Sequence, residues 1–296
     1  MRRLLVAVGI GVVVVAGAGS WAVLSDSGSG GPPTQVRAER VRRTPLATAP
    51  PTTAPVAAVS TTTAPPATFP RAPVVITNGP RDQPRIALTF DSNLTVAMIH
   101  ELDTGAVGSF YNQAVVDELD ALHVPATFFL TGLWMERYPE ATQRLAADPL
   151  FELGSHSYSH RAFHLPCYGL GGMALAEMAD DVRHSFDVLH RFTDHATTFF
   201  RFPGGCYDQA ALDAITPTGV TVIQYDLPSG DAFGTSVGAI VQQTLSGARN
   251  GSIVVMHVTG GNTAPLTAQA LPQIVAGLRA RGFQLVKLSE LLTPAP

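Results

Sequence analysis

The stretch of the sequence that most clearly could carry out chemistry is His156-Ser157-Tyr158-Ser159-His160. Histidines four residues apart lie on one face of a helical turn, so both imidazoles can reach a single metal ion. A pair of unrelated surface histidines can have the same spacing. The pair directly follows the run Phe-Glu-Leu-Gly-Ser, which is predicted to be a strand, and this position favours the metal-binding interpretation.

Other ionisable side chains occur where the predicted strands end. Together with the first histidine of the pair, the residues in these positions are Asp91, His156, Arg201, Asp226 and His257. In a parallel barrel the carboxyl ends of the strands form one rim, and active sites lie on that rim. One such residue alone is more often a helix cap or a satisfied polar group, but five together predict a catalytic site.

The elements that must position these residues alternate between strands and helices from residue 74 onward. Strands are predicted at Ile86–Phe90, Ala126–Leu130, Phe151–Ser155, Thr198–Phe202, Val220–Tyr225, Ile253–His257 and Gln284–Leu288. Helices are predicted at Gln113–Leu122, Pro139–Ala147, Met173–Phe192, Gln209–Ile215, Val237–Ser246 and Leu266–Arg281. The alternation predicts a parallel sheet, and seven strands over about 210 residues favour an open or closed α/β barrel over a flat doubly wound sheet.

The stretch between Asp91 and the second predicted strand is long, and it contains Glu101, Asp103, Tyr111 and Asn112. It is expected to lie over the rim, either as part of a substrate cleft or as an ordinary surface loop. We favour the ordinary surface loop.

Residues 1–25 predict export or membrane anchoring. Arg2 and Arg3 precede an uncharged apolar run from Leu4 to Leu24, which is long enough to span a bilayer as a helix. The pattern fits a cleaved signal peptide and an uncleaved membrane anchor equally well. Both place the rest of the chain outside the cytoplasm, either secreted or membrane-anchored, with membrane contact only through this segment.

Residues 26–73 predict a disordered linker rich in Pro, Thr and Ala. Ten prolines fall between positions 32 and 73, and no charged residue lies between Thr44 and Pro70. Such a stretch cannot bury a core, and it favours extended polyproline geometry. The globular domain is therefore expected to occupy residues 74–296.

Composition and charge exclude several classes of protein. The formal net charge is -4, whereas a nucleic-acid-binding domain needs a basic face, so no nucleic-acid partner is expected. Two cysteines are too few for a disulfide-framework miniprotein or for a four-cysteine zinc module. No glycine-rich phosphate loop follows a strand, so nucleotide chemistry is not indicated. The sequence does not predict an oligomeric state.

Five motifs, in this order, resemble those of the polysaccharide deacetylases, the enzymes of carbohydrate esterase family four. They are Thr89-Phe90-Asp91, His156-Ser157-x-x-His160, Arg201-x-Pro203-x-Gly205, Asp226 through Asp231, and Val255-Met256-His257. The resemblance covers residues 85–292, nearly all of the predicted globular part. It implies a distorted seven-stranded β/α barrel, in agreement with the strand count above.

The resemblance also implies a role for each of several residues. Asp91 would be the general base that takes a proton from water, and Arg201 would pair with it and keep it ionised. His257 would be the general acid, and Asp231 would hold its imidazolium form. Gly204 lies where the family places a residue whose backbone N–H helps to bind the oxyanion.

The cofactor implied by the resemblance is a divalent metal ion, commonly zinc, held by His156 and His160. The family usually has a second, metal-ligating aspartate directly after the base, but this chain has Ser92 followed by Asn93. Asn93 is a candidate third ligand through its amide oxygen, and Asp91 doubling as a ligand is another. A weaker site, a different metal and an inactive protein are all compatible with this change.

The two cysteines, Cys167 and Cys206, each follow a rim motif. In an exported protein with no other thiol, a disulfide that joins the two rim loops is the favoured interpretation. Two separate buried thiols are the alternative, because cysteine is often fully buried.

The function implied by these residues is removal of N-acetyl groups from a cell-envelope or extracellular glycan. The expected substrate is an N-acetylglucosamine-type polymer such as peptidoglycan or a chitin-like oligomer. Two alternatives remain, namely a weakened or inactive carbohydrate-binding relative of the same fold and an esterase for acetylated xylan. Retention of the acid–base residues favours an active enzyme, because a binding module has no need of them.

Overall fold

The computed structural model describes residues 72–293. The predicted signal or anchor segment at 1–25 and nearly all of the predicted linker lie outside these described residues. Between residues 72 and 293, no helix is both long enough and apolar enough to cross a membrane.

The described chain is built on a sheet of nine parallel strands. They are β1 (Val75–Ile76), β2 (Arg85–Ser92), β3 (Ala126–Leu130), β4 (Phe151–Ser155), β5 (Phe199–Phe200), β6 (Thr221–Ile223), β7 (Leu227–Pro228), β8 (Ile253–His257) and β9 (Gln284–Leu285). Their order is β1-β6-β5-β4-β3-β2-β8-β7, and β9 pairs with β2 off this path.

The strand order makes the sheet an open, curled barrel. Consecutive strands from β2 to β6 lie side by side in one direction, without the reversal that defines a doubly wound sheet. The two ends of the order, β1 and β7, are not paired with each other. The expected parallel α/β barrel is therefore confirmed as an open form, with two more short strands than the seven that the sequence predicts.

Nine helices cover the described part of the sheet and its rim. They are α1 (Val96–Asp103), α2 (Gln113–Ala121), α3 (Gly132–Arg137), α4 (Pro139–Ala147), α5 (Leu175–Leu189), α6 (Gln209–Ile215), α7 (Val237–Gly247), α8 (Thr267–Ala280) and α9 (Leu288–Leu292). All six predicted helices are present, and α4 and α6 have the predicted bounds.

The central strands are buried along nearly their whole length, which explains why their sequences are continuous apolar runs. Three aromatic rings from neighbouring strands pack in a row, with centroids 5.4 Å apart between Phe90 and Phe128 and 5.1 Å apart between Phe128 and Phe151. A shift of one residue would move these rings to the other face of the sheet and break the row, so the packing fixes the strand register. In that register Asp91 lies beside His257.

The predicted last strand, Gln284–Leu288, is too long, because the chain turns into α9 at Leu288. The backbone N–H of Leu288 donates to the hydroxyl of Thr127 at 3.0 Å, and that of Ser289 donates to Glu152 at 2.9 Å. These side chains from β3 and β4 satisfy first-turn amides that a helix leaves without partners. The helix start is thus set by residues far away in the sequence.

The expectation of an ordinary surface loop after Asp91 is wrong. The stretch contains the two-turn helix α1, which begins after Thr95, and the hydroxyl of Thr95 accepts the N–H of Met98 at 3.2 Å. No residue of α1 is fully buried, since the helix lies on the rim of the sheet. Thr95 and Met98 line a cavity at the carboxyl ends of the central strands, which is described below.

The structure contains the predicted disulfide between Cys167 and Cys206, whose Cα atoms are 6.0 Å apart. It joins the loop after β4 to the loop after β5. Because neither cysteine is free, the described residues contain no thiol. The disulfide ties together two segments of the rim that are 39 residues apart in the sequence.

We expect the denatured, unreduced protein to show no titratable thiol. The double variant Cys167→Ser/Cys206→Ser should lose about 2–5 kcal/mol of unfolding free energy, because it no longer restricts the unfolded chain. Urea denaturation of the wild type with and without reductant is the matched control. Two thiols in the unreduced protein would contradict the pairing.

Candidate active site

The carboxyl ends of the central strands open into one cavity of about 560 Å³, a volume typical of small-molecule sites. Seven of the residues singled out in the sequence line it, namely Asp91, Asn93, His156, His160, Gly204, Asp231 and His257. Arg201 lies directly behind the cavity, in contact with Asp91. The rim therefore brings the predicted site residues together.

Arg201 has no exposed surface and holds Asp91 by an ion pair. One guanidinium nitrogen, Nη1, donates to Asp91 Oδ1 at 2.7 Å and to the hydroxyl of Thr89 at 2.9 Å. The guanidinium carbon lies 4.0 Å from the ring centroid of Phe129, in cation–π contact. These contacts fix one oxygen of Asp91 and leave Oδ2 directed at His156.

His156 is oriented by the backbone of the same arginine. Its Nδ1 lies 2.9 Å from the carbonyl oxygen of Arg201, so the Nδ1–H tautomer donates there and Nε2 keeps its lone pair. Nε2 is 3.6 Å from Asp91 Oδ2. Burial lowers the pKa of His156 although Asp91 opposes this, so the imidazole is neutral at neutral pH.

His160 completes the histidine pair, with its ring centroid 5.0 Å from that of His156. Both of its ring nitrogens are buried and have no hydrogen-bond partner. Burial, together with His156 and His257 nearby, holds the pKa of His160 well below its usual value. Buried polar groups without a partner are rare in native proteins, and binding of an ion is one of the roles that explain them.

The helical turn expected between His156 and His160 is absent, and another backbone conformation brings the two imidazoles together. Ser157 and His160 have φ angles of 72° and 53°, in the left-handed region, so the segment is an irregular turn. Asp181 of α5 holds this turn, since its carboxylate accepts the backbone N–H groups of Tyr158 and Ser159 and the hydroxyl of Ser159. The sequence analysis missed Asp181, because in the sequence it is only one of several charged residues in a predicted helix.

Asn93 also presents a buried atom without a partner. Its side-chain oxygen Oδ1 accepts no hydrogen bond, while its backbone N–H donates to the hydroxyl of Thr259 at 2.8 Å. The preceding residue is committed elsewhere, because the buried hydroxyl of Ser92 accepts the N–H of Thr131 at 3.1 Å. The amide of Asn93, and not the hydroxyl of Ser92, therefore lines the cavity.

These atoms fit a divalent cation as far as donor chemistry is concerned. One unpartnered ring nitrogen of His160 and the free Nε2 of His156 are ligands that zinc prefers, and Asn93 adds a neutral amide oxygen, a weaker zinc donor than a carboxylate. Within residues 72–293 there is no cluster of three or more His, Cys, Asp and Glu side chains that could hold a metal ion.

A second ionic pair at the cavity is formed by His257, which is partly exposed, and the buried Asp231, and His257 lies beside Asp91 in the strand register. Asp231 accepts from His257 Nδ1 at 2.9 Å and from the His257 backbone N–H at 2.7 Å. The hydroxyls of Ser229 and Thr267 donate to it as well, at 3.0 and 2.7 Å. The carboxylate is thus fully engaged in holding the imidazole, and Thr267 is a supporting residue that sequence reasoning missed.

The charge of Asp231 decides the titration of His257. Burial disfavours the imidazolium form, but the adjacent carboxylate outweighs it and raises the pKa of His257. Burial likewise acts to raise the pKa of Asp231, and its contacts with His257, Thr267 and Ser229 lower it below the usual value. Proton donation by His257 Nε2 at neutral pH is favoured by this pairing.

Asp226 does not belong to the site, contrary to the expectation from its strand-end position. Its carboxylate pairs with Arg81 at 2.7 Å and accepts the backbone N–H of Ile253 at 2.8 Å. It also lies 3.4 Å from Arg249. Asp226 therefore ties the chain between β6 and β7 to the start of β8, which is a structural role.

Gly204 lies at the cavity in a left-handed conformation, with φ of 61°. A Cβ atom at this position would come within 2.6 Å of Cys167 Sγ. Glycine is required here both by the backbone angle and by the close approach of the disulfide. The role of its backbone N–H in binding an oxyanion stays a prediction.

The family model for polysaccharide deacetylases matches residues 78–223, and the chain belongs to this family. It is similar to a peptidoglycan-N-acetylglucosamine deacetylase of Bacillus cereus, with 25% identity over 214 residues that cover 72% of this chain and 70% of the relative. It is also similar to a chitooligosaccharide deacetylase of Bradyrhizobium sp., with 26% identity over 193 residues that cover 62% and 84% of the two chains.

Solved structures share the fold. A peptidoglycan N-acetylglucosamine deacetylase with bound 4-naphthalen-1-yl-N-oxidanyl-benzamide superposes with a TM-score of 0.61 and 24% identity, over 75% of this chain and 94% of the other. A carbohydrate esterase family four pseudoenzyme from Bacillus anthracis also gives a TM-score of 0.61, with 20% identity over 75% and 70% of the two chains. The fold is thus found both in a protein named as an enzyme and in one named as a pseudoenzyme.

The pairing of His257 with Asp231 predicts a shift in the pH profile of any reaction that needs the imidazolium. Asp231→Asn removes the charge that raises the pKa of His257, so the alkaline limb of the kcat profile should move to lower pH. Thr267→Val, which removes one donor and keeps the carboxylate, should move the limb less. An unchanged limb in Asp231→Asn would mean that His257 does not titrate in the reaction.

Proposed function

We propose that this protein is a metal-dependent hydrolase that removes N-acetyl groups from an N-acetylglucosamine-type glycan outside the cytoplasm. One observation carries the proposal. A carboxylate oxygen, Asp91 Oδ2, and an imidazole, His257, meet at the same cavity, and each is held by its own buried ionic partner. This is the arrangement of a general base and a general acid that act on one bond.

The base step falls to Asp91. The ion pair with Arg201 engages Oδ1, so Oδ2 is the oxygen that accepts a proton from the attacking water. Because the guanidinium is buried beside it, the carboxylate keeps a fixed direction during the step. The new bond forms between the water oxygen and the carbonyl carbon of the acetamide.

The acid step falls to His257. Its Nδ1 is bound to Asp231, which leaves Nε2 to donate a proton to the nitrogen of the departing sugar amine. The carbon–nitrogen bond then breaks, and the products are acetate and a free glucosamine-type amine. Asp91 accepts one proton of the water, and His257 gives one proton to the amine. The second water proton leaves when the acetic acid formed ionises to acetate, and proton exchange with solvent returns Asp91 and His257 to their starting states.

The carbonyl oxygen gains negative charge when water adds to the acetamide. We assign the backbone N–H of Gly204, a residue that lines the cavity, as the protein donor that stabilises this charge. His156, His160 and Asn93 would hold a divalent cation, with zinc as the first candidate and Asp91 as an alternative ligand. When bound, the cation supplies Lewis-acid polarisation of the carbonyl and increases the acidity of water.

The substrate class rests on the relatives. The proteins named as peptidoglycan-N-acetylglucosamine and chitooligosaccharide deacetylases both act on N-acetylated glucosamine units, and we propose the same unit for this chain. Action on a cell-envelope or extracellular glycan also agrees with the export or anchor signal predicted at residues 1–25. Acetylated xylan is a further candidate, since a bifunctional xylanase/deacetylase is among the relatives.

The second candidate function is sugar binding without turnover. It is favoured by the missing carboxylate at Ser92 and by the existence of a pseudoenzyme with this fold. The presence of both ion pairs, Arg201 with Asp91 and Asp231 with His257, argues against it, because a binding module does not need them. Release of acetate from acetylated chito-oligomers, peptidoglycan and acetylated xylan, with several divalent metals added, separates the two functions.

Removal of either proton-transfer group should abolish most of the activity. We expect Asp91→Asn and His257→Ala each to lower kcat by at least about a hundredfold, the usual scale of general acid–base catalysis. The metal content of His257→Ala should stay at the wild-type level, because His257 is not a proposed ligand. Near-wild-type kcat in either variant would remove that residue from the mechanism.

A second prediction concerns the ligand that replaces the missing carboxylate. Asn93→Asp keeps the shape of the side chain and adds a negative charge, so it should tighten zinc binding by about tenfold or more. Asn93→Ala removes the buried oxygen and should weaken zinc binding. Competition with a chelator measures both changes on the full chain.

Ser92→Ala is the matched control for the position beside it. It leaves the N–H of Thr131 without its buried acceptor, so the unfolding free energy should fall by about 1–3 kcal/mol, with zinc affinity unchanged. If Asn93→Ala binds zinc as tightly as the wild type, Asn93 is not the ligand and Asp91 takes its place.

A further inference from the structure

Two aromatic rings stand exposed at the mouth of the cavity. Tyr168 and Phe233 have 71% and 73% of their surface in solvent, although their ring centroids are only 5.4 Å apart and tilted by 38°. Both line the cavity that contains Asp91 and His257. Large aromatic side chains gathered in the open at a cavity mouth are typical of a binding surface.

The pair lies next to the groups proposed for catalysis. Phe233 follows Asp231, the partner of His257, by two residues. Tyr168 packs against Gly204, since a Cβ at that glycine would lie 3.1 Å from Tyr168 Cδ2. The rings therefore border the reacting position from two separate loops.

The backbone holds Tyr168 in this place. The residue has a φ of 45°, in the left-handed region that a tyrosine seldom adopts, and it directly follows Cys167 of the disulfide. The carbonyl of Cys167 also accepts the N–H of Leu170 at 2.8 Å, which closes the turn. A strained conformation that the surroundings enforce points to a role for the exposed ring.

We propose that Tyr168 and Phe233 form a stacking platform for the sugar ring that neighbours the reacting N-acetylglucosamine. The inference rests on the proposed function and adds that the preferred substrate is an oligomer. A β-linked glucosamine ring carries C–H groups on its two faces and hydroxyl groups on its edge. Its flat apolar face suits an aromatic ring, and its edge stays in water. Rigid aromatic rings make such contacts at low entropic cost.

Binding without turnover gives the direct test. In the full-length His257→Ala protein with zinc present, calorimetric titration should show tighter binding of tetra-N-acetylchitotetraose than of N-acetylglucosamine. Adding Phe233→Ala or Tyr168→Ala should raise the Kd for the tetramer by about tenfold, with little change for the monosaccharide.

Variants that retain an aromatic ring distinguish stacking from general apolar contact. Phe233→Tyr and Tyr168→Phe retain the flat face and should bind the tetramer as the unmodified rings do. Phe233→Leu keeps an apolar side chain without the face and should bind as weakly as Phe233→Ala. Leu175→Ala, at an exposed apolar residue outside the cavity, is the matched control and should leave the Kd unchanged.

The outcomes distinguish the platform from the proposed function. If both alanine variants bind the tetramer as tightly as their parent, or if the parent binds monomer and tetramer equally, the platform is overturned, whatever the acetate assay shows. If the alanine variants bind weakly but the wild type releases no acetate from any polymer, the platform stands and N-deacetylation fails.

Discussion

The buried ion pair between Arg201 and Asp91 is the interaction on which the rest of the site depends. A guanidinium with no exposed surface has lost its hydration, at a cost of several kcal/mol that only well-placed partners offset. One of its nitrogens, Nη1, reaches both Asp91 and Thr89 on β2, while its own carbonyl oxygen orients His156 at the end of β4. One residue at the end of β5 thus aligns the proposed base and a candidate metal ligand.

The distribution of charge in the cavity follows from this constraint. Asp91 is compensated by Arg201, and Asp231 is compensated by His257 when the imidazole is protonated. The remaining corner contains two imidazoles that burial keeps neutral and the amide of Asn93. A divalent cation in that corner would meet the unpartnered atoms of the imidazoles and the amide, and the free oxygen of Asp91. The cation would therefore be attracted by the dipoles of neutral groups and by the charge of one carboxylate.

The loops of the rim are held by contacts that serve more than one part of the site. The disulfide fixes the loop with Tyr168 against the loop with Gly204, and the close approach of Cys167 explains why residue 204 has no side chain. Asp181 of α5 holds the turn between the two histidines in the same way. Precision at the cavity is therefore obtained from helices and crosslinks outside it.

The sequence by itself determined the parallel α/β architecture and the positions of most elements, because buried strands and amphipathic helices have local periodicity. It also predicted most of the residues that reach the rim, since a residue at the carboxyl end of a parallel strand lies there. Asp91, His156 and His257 were predictable for this reason.

Only the tertiary structure decided what depends on distant partners. Asp226 shares the strand-end pattern but is taken up by Arg81 and the start of β8, so it lies outside the site. The turn at Ser157 is irregular because Asp181 holds it, and Tyr168 and Phe233 meet although 65 positions separate them in the chain. Hydrogen bonds and ring contacts of this kind have no local signature, because their energy depends on two segments that only folding brings together.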